Sequence, residues 1–79
     1  MDISKAYYIV TPFCDKIMLF ISKDKKEAYV KSIVPIPIDW RSMPHVLEYK
    51  IPICPDETLG SILARVHKVI SDYREEWEM

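Results

Sequence analysis

Four side chains in this sequence could bind a metal ion or act as a nucleophile and its base: Cys14, His45, Cys54 and His67. A local zinc site uses closely spaced pairs such as C-x₂₋₄-C or H-x₃₋₅-H, and no two of the four lie that close together. Their ordinary interpretation is structural: the cysteines fill apolar space, His45 begins a strand, and His67 lies beside the apolar stripe of a helix. We therefore expect no metal site and two reduced, unbridged thiols.

Enzymatic chemistry would need further motifs, and the sequence lacks them. There is no G-x-S-x-G turn, and a single glycine, Gly60, excludes a glycine-rich phosphate loop. The adjacent carboxylates Asp56 and Glu57 stand where a helix is predicted to begin, and capping is the usual role of acids there. We expect a protein that is not an enzyme and binds no cofactor.

Size and charge narrow the classes of function further. The chain has 79 residues and a net charge of −1, which predicts one small domain over residues 1–79. Near-neutral charge argues against a partner that is mainly nucleic acid phosphate or an anionic membrane. The first residues lack the basic and apolar regions of a signal peptide, so we expect a cytoplasmic protein without a membrane span.

The elements that must position any site begin with strands. Three segments are rich in β-branched and aromatic residues, with turns expected at 13–16 and 24–26. They are Lys5–Phe13, Lys16–Lys23 and Glu27–Val34. Together they predict an antiparallel meander.

Prolines then punctuate the chain. Alternate residues of a strand point their N–H groups to the same edge, so Pro35 and Pro37 allow the third strand to continue along a sheet edge. An extended polyproline-like linker is the alternative. Residues 39–44 predict an irregular loop or a single helical turn. Residues 45–53 alternate again as a fourth strand whose inward residues are Leu47, Tyr49, Ile51 and Ile53.

The last third of the sequence predicts a helix over Glu57–Glu78, capped by Asp56. Its apolar residues form one continuous stripe: Leu59, Ile62, Leu63, Val66, Ile70, Tyr73 and Trp77. The sequence therefore predicts an α+β fold, a small, mainly antiparallel four-stranded sheet with one long C-terminal helix packed across one face.

Two places carry residue types that are enriched in protein-binding surfaces. A helix of this length is expected to project past its sheet, so that Trp77 and Tyr73 stand exposed among the acids Asp72, Glu75 and Glu76. Trp77 could instead fold back on the rim of the sheet. The second place is the predicted loop with Trp40 and Arg41, where Trp40 could equally close the end of the core.

The leading hypothesis is a small protein-binding module of the inhibitor, immunity or anti-defence type, as mobile genetic elements encode. We also expect a homodimer, through an exposed sheet edge or the apolar end of the helix. The alternative is a nucleic-acid-associated accessory protein that uses a lysine-rich hairpin. Its lysines are Lys16, Lys23, Lys25, Lys26 and Lys31.

Overall fold

The computed structural model describes residues 3–38 and 41–77, which form four strands and one helix. The elements are β1 (Ile3–Val10), β2 (Lys16–Ser22), β3 (Glu27–Ile38), β4 (Arg41–Pro52) and α1 (Leu59–Trp77). The strands pair in the order β1-β2-β3-β4, each antiparallel to the next. The predicted α+β fold, with one sheet and one C-terminal helix, is confirmed. That residues 1–79 make a single domain stays a prediction.

The core lies between the sheet and the helix. Strand alternation turns Ile17, Leu19 and Ile21 of β2 to the helix side, and the helical stripe buries Ile62, Val66 and Ile70 against them. Leu59, which we expected in the same stripe, is 37% exposed. Leu59 is the first residue of α1, and a helical side chain points back toward the N-terminus. Its side chain therefore lies beyond Ile62, the first buried residue of the helix.

The prolines of β3 and β4 occupy positions at which a backbone N–H would have no acceptor on a neighbouring strand. Pro35 of β3 lies opposite Pro44 of β4, and neither has an N–H, so this pair cannot exchange ladder hydrogen bonds. Hydrogen-bonded and non-hydrogen-bonded pairs alternate in an antiparallel ladder, which fixes the direction of every other residue. Pro35 and Pro37 therefore point away from β4 at positions that β2, whose pairing ends at Ile33, does not reach. Of the two interpretations of this segment, the continuing edge strand is the one observed.

Residues 41–44, the described part of the segment predicted as a loop or helical turn, belong to a strand. β4 begins at Arg41, which pairs with Ile38, and Ser42, Met43 and Pro44 continue the ladder. The prediction was wrong for these residues: Pro44 is compatible with a strand because its nitrogen faces the free edge of the sheet. Trp40 lies outside the described residues, and Arg41 belongs to a strand.

The connection between β1 and β2 is longer than predicted. β1 ends at Val10, not at Phe13. The hydroxyl oxygen of Thr11 accepts hydrogen bonds from the backbone N–H groups of Phe13 at 3.2 Å and Asp15 at 3.1 Å. Cys14 adopts the left-handed region with φ 67°. A threonine that bonds to the backbone ahead of it favours a turn, and this local bonding ends the strand early.

The helix begins two residues later than predicted, and Thr58 caps it. The Thr58 hydroxyl accepts from the backbone N–H of Ser61 at 3.1 Å, and the Thr58 carbonyl accepts from Ile62. Glu57 closes the preceding turn by accepting from the N–H of Cys54 at 3.2 Å. Asp56 was predicted as the cap, but it lies two residues before the observed cap.

The end of the helix does not project past the sheet. β3 and β4 each have 12 residues, about 40 Å at strand rise, whereas the 19 residues of α1 span about 28 Å. The predicted overhang assumed strands of about eight residues. The long hairpin gives the molecule its principal extents of 44 × 19 × 18 Å. In the described part of the chain, no helix is long and apolar enough to cross a membrane.

Candidate functional site

A groove of about 530 Å³ runs between the free edge of β4 and one side of α1. Its β4 wall includes residues from both faces of the sheet, since Val46 and Glu48 point to one face and Leu47 and Tyr49 to the other. The groove therefore wraps around the outer edge of the strand. Its helical wall is a single ridge at helical spacing, formed by Val69, Asp72, Tyr73 and Glu76. We call this feature the β4–α1 groove.

An aromatic cluster closes one end of the groove. The Tyr73 hydroxyl lies 2.6 Å from Nδ1 of His45, and the Trp77 ring meets the His45 ring edge-on with centroids 4.8 Å apart. His45, which was predicted to begin the fourth strand, lies within β4. Through its contacts with Tyr73 and Trp77, β4 positions the end of the helix. Trp77 packs back on the sheet, as the alternative interpretation held, but 48% of its surface stays exposed.

Carboxylates line the rim of the groove. Asp72 lies 3.8 Å from Lys68, and Glu48 lies 3.7 Å from Lys31, both at exposed positions where such pairs contribute little energy. Glu76 makes no ion pair with any residue that the structure describes. The groove thus combines an apolar floor with a negative rim.

Glu48 also makes a hydrogen bond on the face of the sheet that points away from the helix. It accepts a hydrogen bond from the Tyr29 hydroxyl at 3.2 Å. Partial burial of the phenol and the Glu48 carboxylate together raise the pKa of Tyr29. On the helix side, burial raises the pKa of Tyr49, whose hydroxyl neighbours Ser32; neither hydroxyl makes a hydrogen bond of good geometry within the described residues.

Comparisons of the chain with protein-family models, with curated proteins and with solved structures found no match. Its function is therefore argued from the geometry of its surfaces.

The structure divides the residues predicted to bind a protein. Asp72, Tyr73 and Glu76 share the β4–α1 groove, with Trp77 at its end. Glu75 lies on the other side of the helix, in a cavity that also contains His67 and Arg74. Arg41 is exposed at the start of β4. The fold thus brings together the helical part of the set and separates Glu75 from it.

The structure also shows charged residues that the sequence interpretation missed. Asp15 is 2% exposed, and Arg74 donates to both of its carboxylate oxygens. The Arg74 guanidinium lies 5.5 Å from the centre of the Phe13 ring. This pair joins the β1–β2 turn to the end of α1. Arg74 was visible as a base among the acids of the last turns, but nothing local in the sequence connects it with Asp15.

The lysines of the nucleic-acid alternative do not form one patch. Lys23, Lys25 and Lys26 lie in the β2–β3 turn, whereas Lys16 begins β2, about 20 Å away along the strand. Lys31 is paired with Glu48 in the middle of the sheet. The turn itself is organised by Asp24, whose pKa is lowered by hydrogen bonds from the Ser22 hydroxyl and the backbone N–H of Lys26.

The cysteines are not core residues. Cys14 and Cys54 are both exposed, free thiols, so the interpretation that they fill apolar space was wrong. Each lies in a connection between two elements, outside the core. His45 is half-buried against Tyr73, and His67 is exposed. Residues 3–38 and 41–77 contain no group of three or more Cys, His, Asp or Glu side chains arranged to hold a metal ion.

Proposed function

We propose that this protein is a protein-binding module that acts by stoichiometric contact, in the manner of an inhibitor, immunity or anti-defence protein. The β4–α1 groove carries the proposal. Its apolar floor offers area that a partner can desolvate, and its three carboxylates offer charge for orientation. Enzymatic chemistry receives less support: the Tyr73 hydroxyl lies beside His45 at the end of the groove, but both rings pack in an aromatic cluster with Trp77.

The partner chemistry that suits this groove is apolar and basic. Val46, Leu47 and Val69 accept an apolar anchor, and Glu48, Asp72 and Glu76 attract lysine or arginine. Trp77, half exposed at the end of the groove, adds the residue type most enriched in binding hot spots.

Site-specific photocrosslinking tests the proposal. A benzophenone amino acid replaces Val69 in the groove, and as a matched control it replaces Ala64, an exposed residue on the solvent side of the same helix. We expect one predominant protein adduct at position 69 in cells that express the chain naturally, and none at position 64. The purified partner should bind the chain in one-to-one stoichiometry by titration calorimetry, and Glu76→Lys should weaken that binding.

Equal adducts at positions 69 and 64, or a partner whose affinity is unchanged by Glu76→Lys, would place the function elsewhere. The nucleic-acid alternative remains a proposal with less support, because its lysines are dispersed over both ends and the middle of the sheet.

A further inference from the structure

Among the residues that the structure describes, no further strand pairs with the outer edge of β4. Pro44 is a non-hydrogen-bonding position of the β3–β4 ladder, so the residues at even numbers along β4 turn both N–H and C=O away from β3. The hydrogen bond from the N–H of Ile53 to the carbonyl of Lys26 agrees with this alternation, because it puts an odd-numbered residue inward. Val46, Glu48 and Lys50 therefore direct their backbone groups outward.

Two prolines bound this set of backbone groups. Pro44 and Pro52 are also even-numbered positions of β4, and they lie at either end of the three residues whose backbone groups point outward. They have no N–H to offer a further strand, so pairing is restricted to the segment between them. That segment, residues 45–51, is about 23 Å long, enough for an extended segment of about seven residues.

The helix completes a site for an added strand. Its ridge of Val69, Asp72, Tyr73 and Glu76 stands beside the open edge, so a strand that paired with β4 would lie along the β4–α1 groove. An edge strand flanked by a helix provides main-chain hydrogen bonds on one side and pockets for alternate side chains on the other.

Charge decides which segment fits. Glu76 has no ion pair within the described residues, and the lysines that pair weakly with Glu48 and Asp72 at 3.7 and 3.8 Å lie outside the groove lining. The lining is therefore acidic, which favours a basic segment. A second copy of this chain fits less well, since a two-fold interface brings the same patch of each copy together and would set three carboxylates against three.

We propose that β4 binds an extended, basic segment of a partner protein, which pairs with residues 45–51 as a fifth strand of the sheet. This rests on the proposed function and adds the mode of binding. Main-chain pairing provides affinity, and basic side chains at alternate positions of the segment select it against other strands.

The test uses a phage-displayed library of random ten-residue peptides as the probe. Three variants separate backbone from side chain. Lys50→Pro removes one outward N–H without touching the β3–β4 ladder, and Lys50→Ala keeps that N–H but makes the same loss of charge. Glu76→Lys reverses charge inside the groove, and Glu75→Lys makes the same change one residue away on the other side of the helix.

We expect the enriched peptides to carry lysine or arginine at alternate positions. Lys50→Pro should weaken a selected peptide about tenfold relative to Lys50→Ala, as the loss of one backbone hydrogen bond requires. Glu76→Lys should weaken it further, while Glu75→Lys should leave it unchanged. The amides of Val46 and Glu48 should become protected from hydrogen exchange when the peptide binds.

Three results would overturn strand addition. In the first, selected peptides bind the Lys50→Pro and Lys50→Ala proteins equally. In the second, the library yields no peptide that prefers wild type over Lys50→Pro. In the third, the protein forms a dimer through β4 that Lys50→Pro dissociates. The proposed function fails separately. A whole partner protein that loses affinity with Glu76→Lys but not with Lys50→Pro leaves protein binding in place and removes only the added strand.

Discussion

At the scale of single residues, the Asp15–Arg74 pair shows how a buried charge ties distant parts of the chain together. Asp15 is 2% exposed, and the two residues are 59 positions apart. A carboxylate in this position needs its partner, because an uncompensated buried charge is costly.

Arg74→Ala should therefore lower the free energy of unfolding by about 3 kcal/mol. Lys68→Ala removes a base from an exposed pair on the same helix and should change stability by less than about 0.5 kcal/mol. Urea denaturation of both variants measures the difference. Equal losses would mean that the Asp15–Arg74 pair stabilises the fold no more than a surface pair does.

Glu57 supplies a pH-dependent contribution at the start of α1. The backbone N–H of Cys54 lowers its pKa most, followed by the Ser61 hydroxyl, while Arg65 adds a weaker effect in the same direction. A pKa lowered by folding stabilises the folded state above the unfolded value and loses that contribution as pH falls through the folded value.

We expect Glu57→Gln to destabilise the protein near neutral pH, and the difference from wild type to shrink as the solution is acidified below about pH 4. Asp56→Asn makes the same charge change one residue earlier and serves as the control. Thermal melts across this pH range measure the effect. A difference between wild type and Glu57→Gln that stays constant with pH would contradict the assignment of Glu57 as an ionised hydrogen-bond acceptor.

At the scale of elements, β4 is defined by which of its backbone groups face β3. Its exposed alternate residues were predicted from the sequence, and the half-buried Leu47, Tyr49 and Ile51 confirm the inward set. The direction of the N–H groups follows from the proline positions only once the register with β3 is known.

This difference predicts opposite responses to proline at neighbouring positions. Lys50→Pro should keep the free energy of unfolding within about 1 kcal/mol of wild type, because its N–H points to solvent. Tyr49→Pro should cost about 3 kcal/mol or more beyond Tyr49→Ala, because it removes a ladder hydrogen bond. Denaturant melts of the three variants test the assignment. The reverse order of stability would mean that the odd-numbered residues of β4, not the even-numbered ones, point their N–H groups away from β3.

At the scale of the whole molecule, β1 is the second free edge of the sheet. By the same alternation, Ala6, Tyr8 and Val10 turn their backbone groups outward, and no proline interrupts them. The side chains of Tyr8 and Val10 are 61% and 55% exposed. An edge that is apolar and free of proline favours pairing with a second copy.

We expect a homodimer through β1, which leaves the β4–α1 groove open. Sedimentation equilibrium should give twice the chain mass of 9.3 kDa, and Ala6→Pro should give the single mass without loss of secondary structure. Wild-type protein that sediments as a monomer at high micromolar concentration would contradict this expectation.

The charge of the whole molecule bears on the nucleic-acid alternative. With a net charge of −1 and lysines at two ends of the sheet, the protein should bind duplex DNA no more tightly than about 1 µM near physiological salt. Fluorescence anisotropy with a labelled duplex measures this. Tighter, strongly salt-dependent binding that a triple alanine variant of Lys23, Lys25 and Lys26 abolishes would favour the alternative.

The sequence alone determined the fold class, the inward residues of β4 and the buried centre of the helical stripe. Those depend on local periodicity, such as the alternation along 45–52 and the helical stripe through Val66 and Ile70. Tertiary structure decided the rest, because the deciding contacts join residues far apart in the chain. Pro44 belongs to a strand only because Pro35 lies opposite it, and Arg74 holds the end of α1 on the β1–β2 turn only because Asp15 meets it. The β4–α1 groove has the same origin. Asp72 and Glu76 were visible in the sequence as exposed acids, but only the packing of α1 beside the outer edge of β4 makes them the wall of a site.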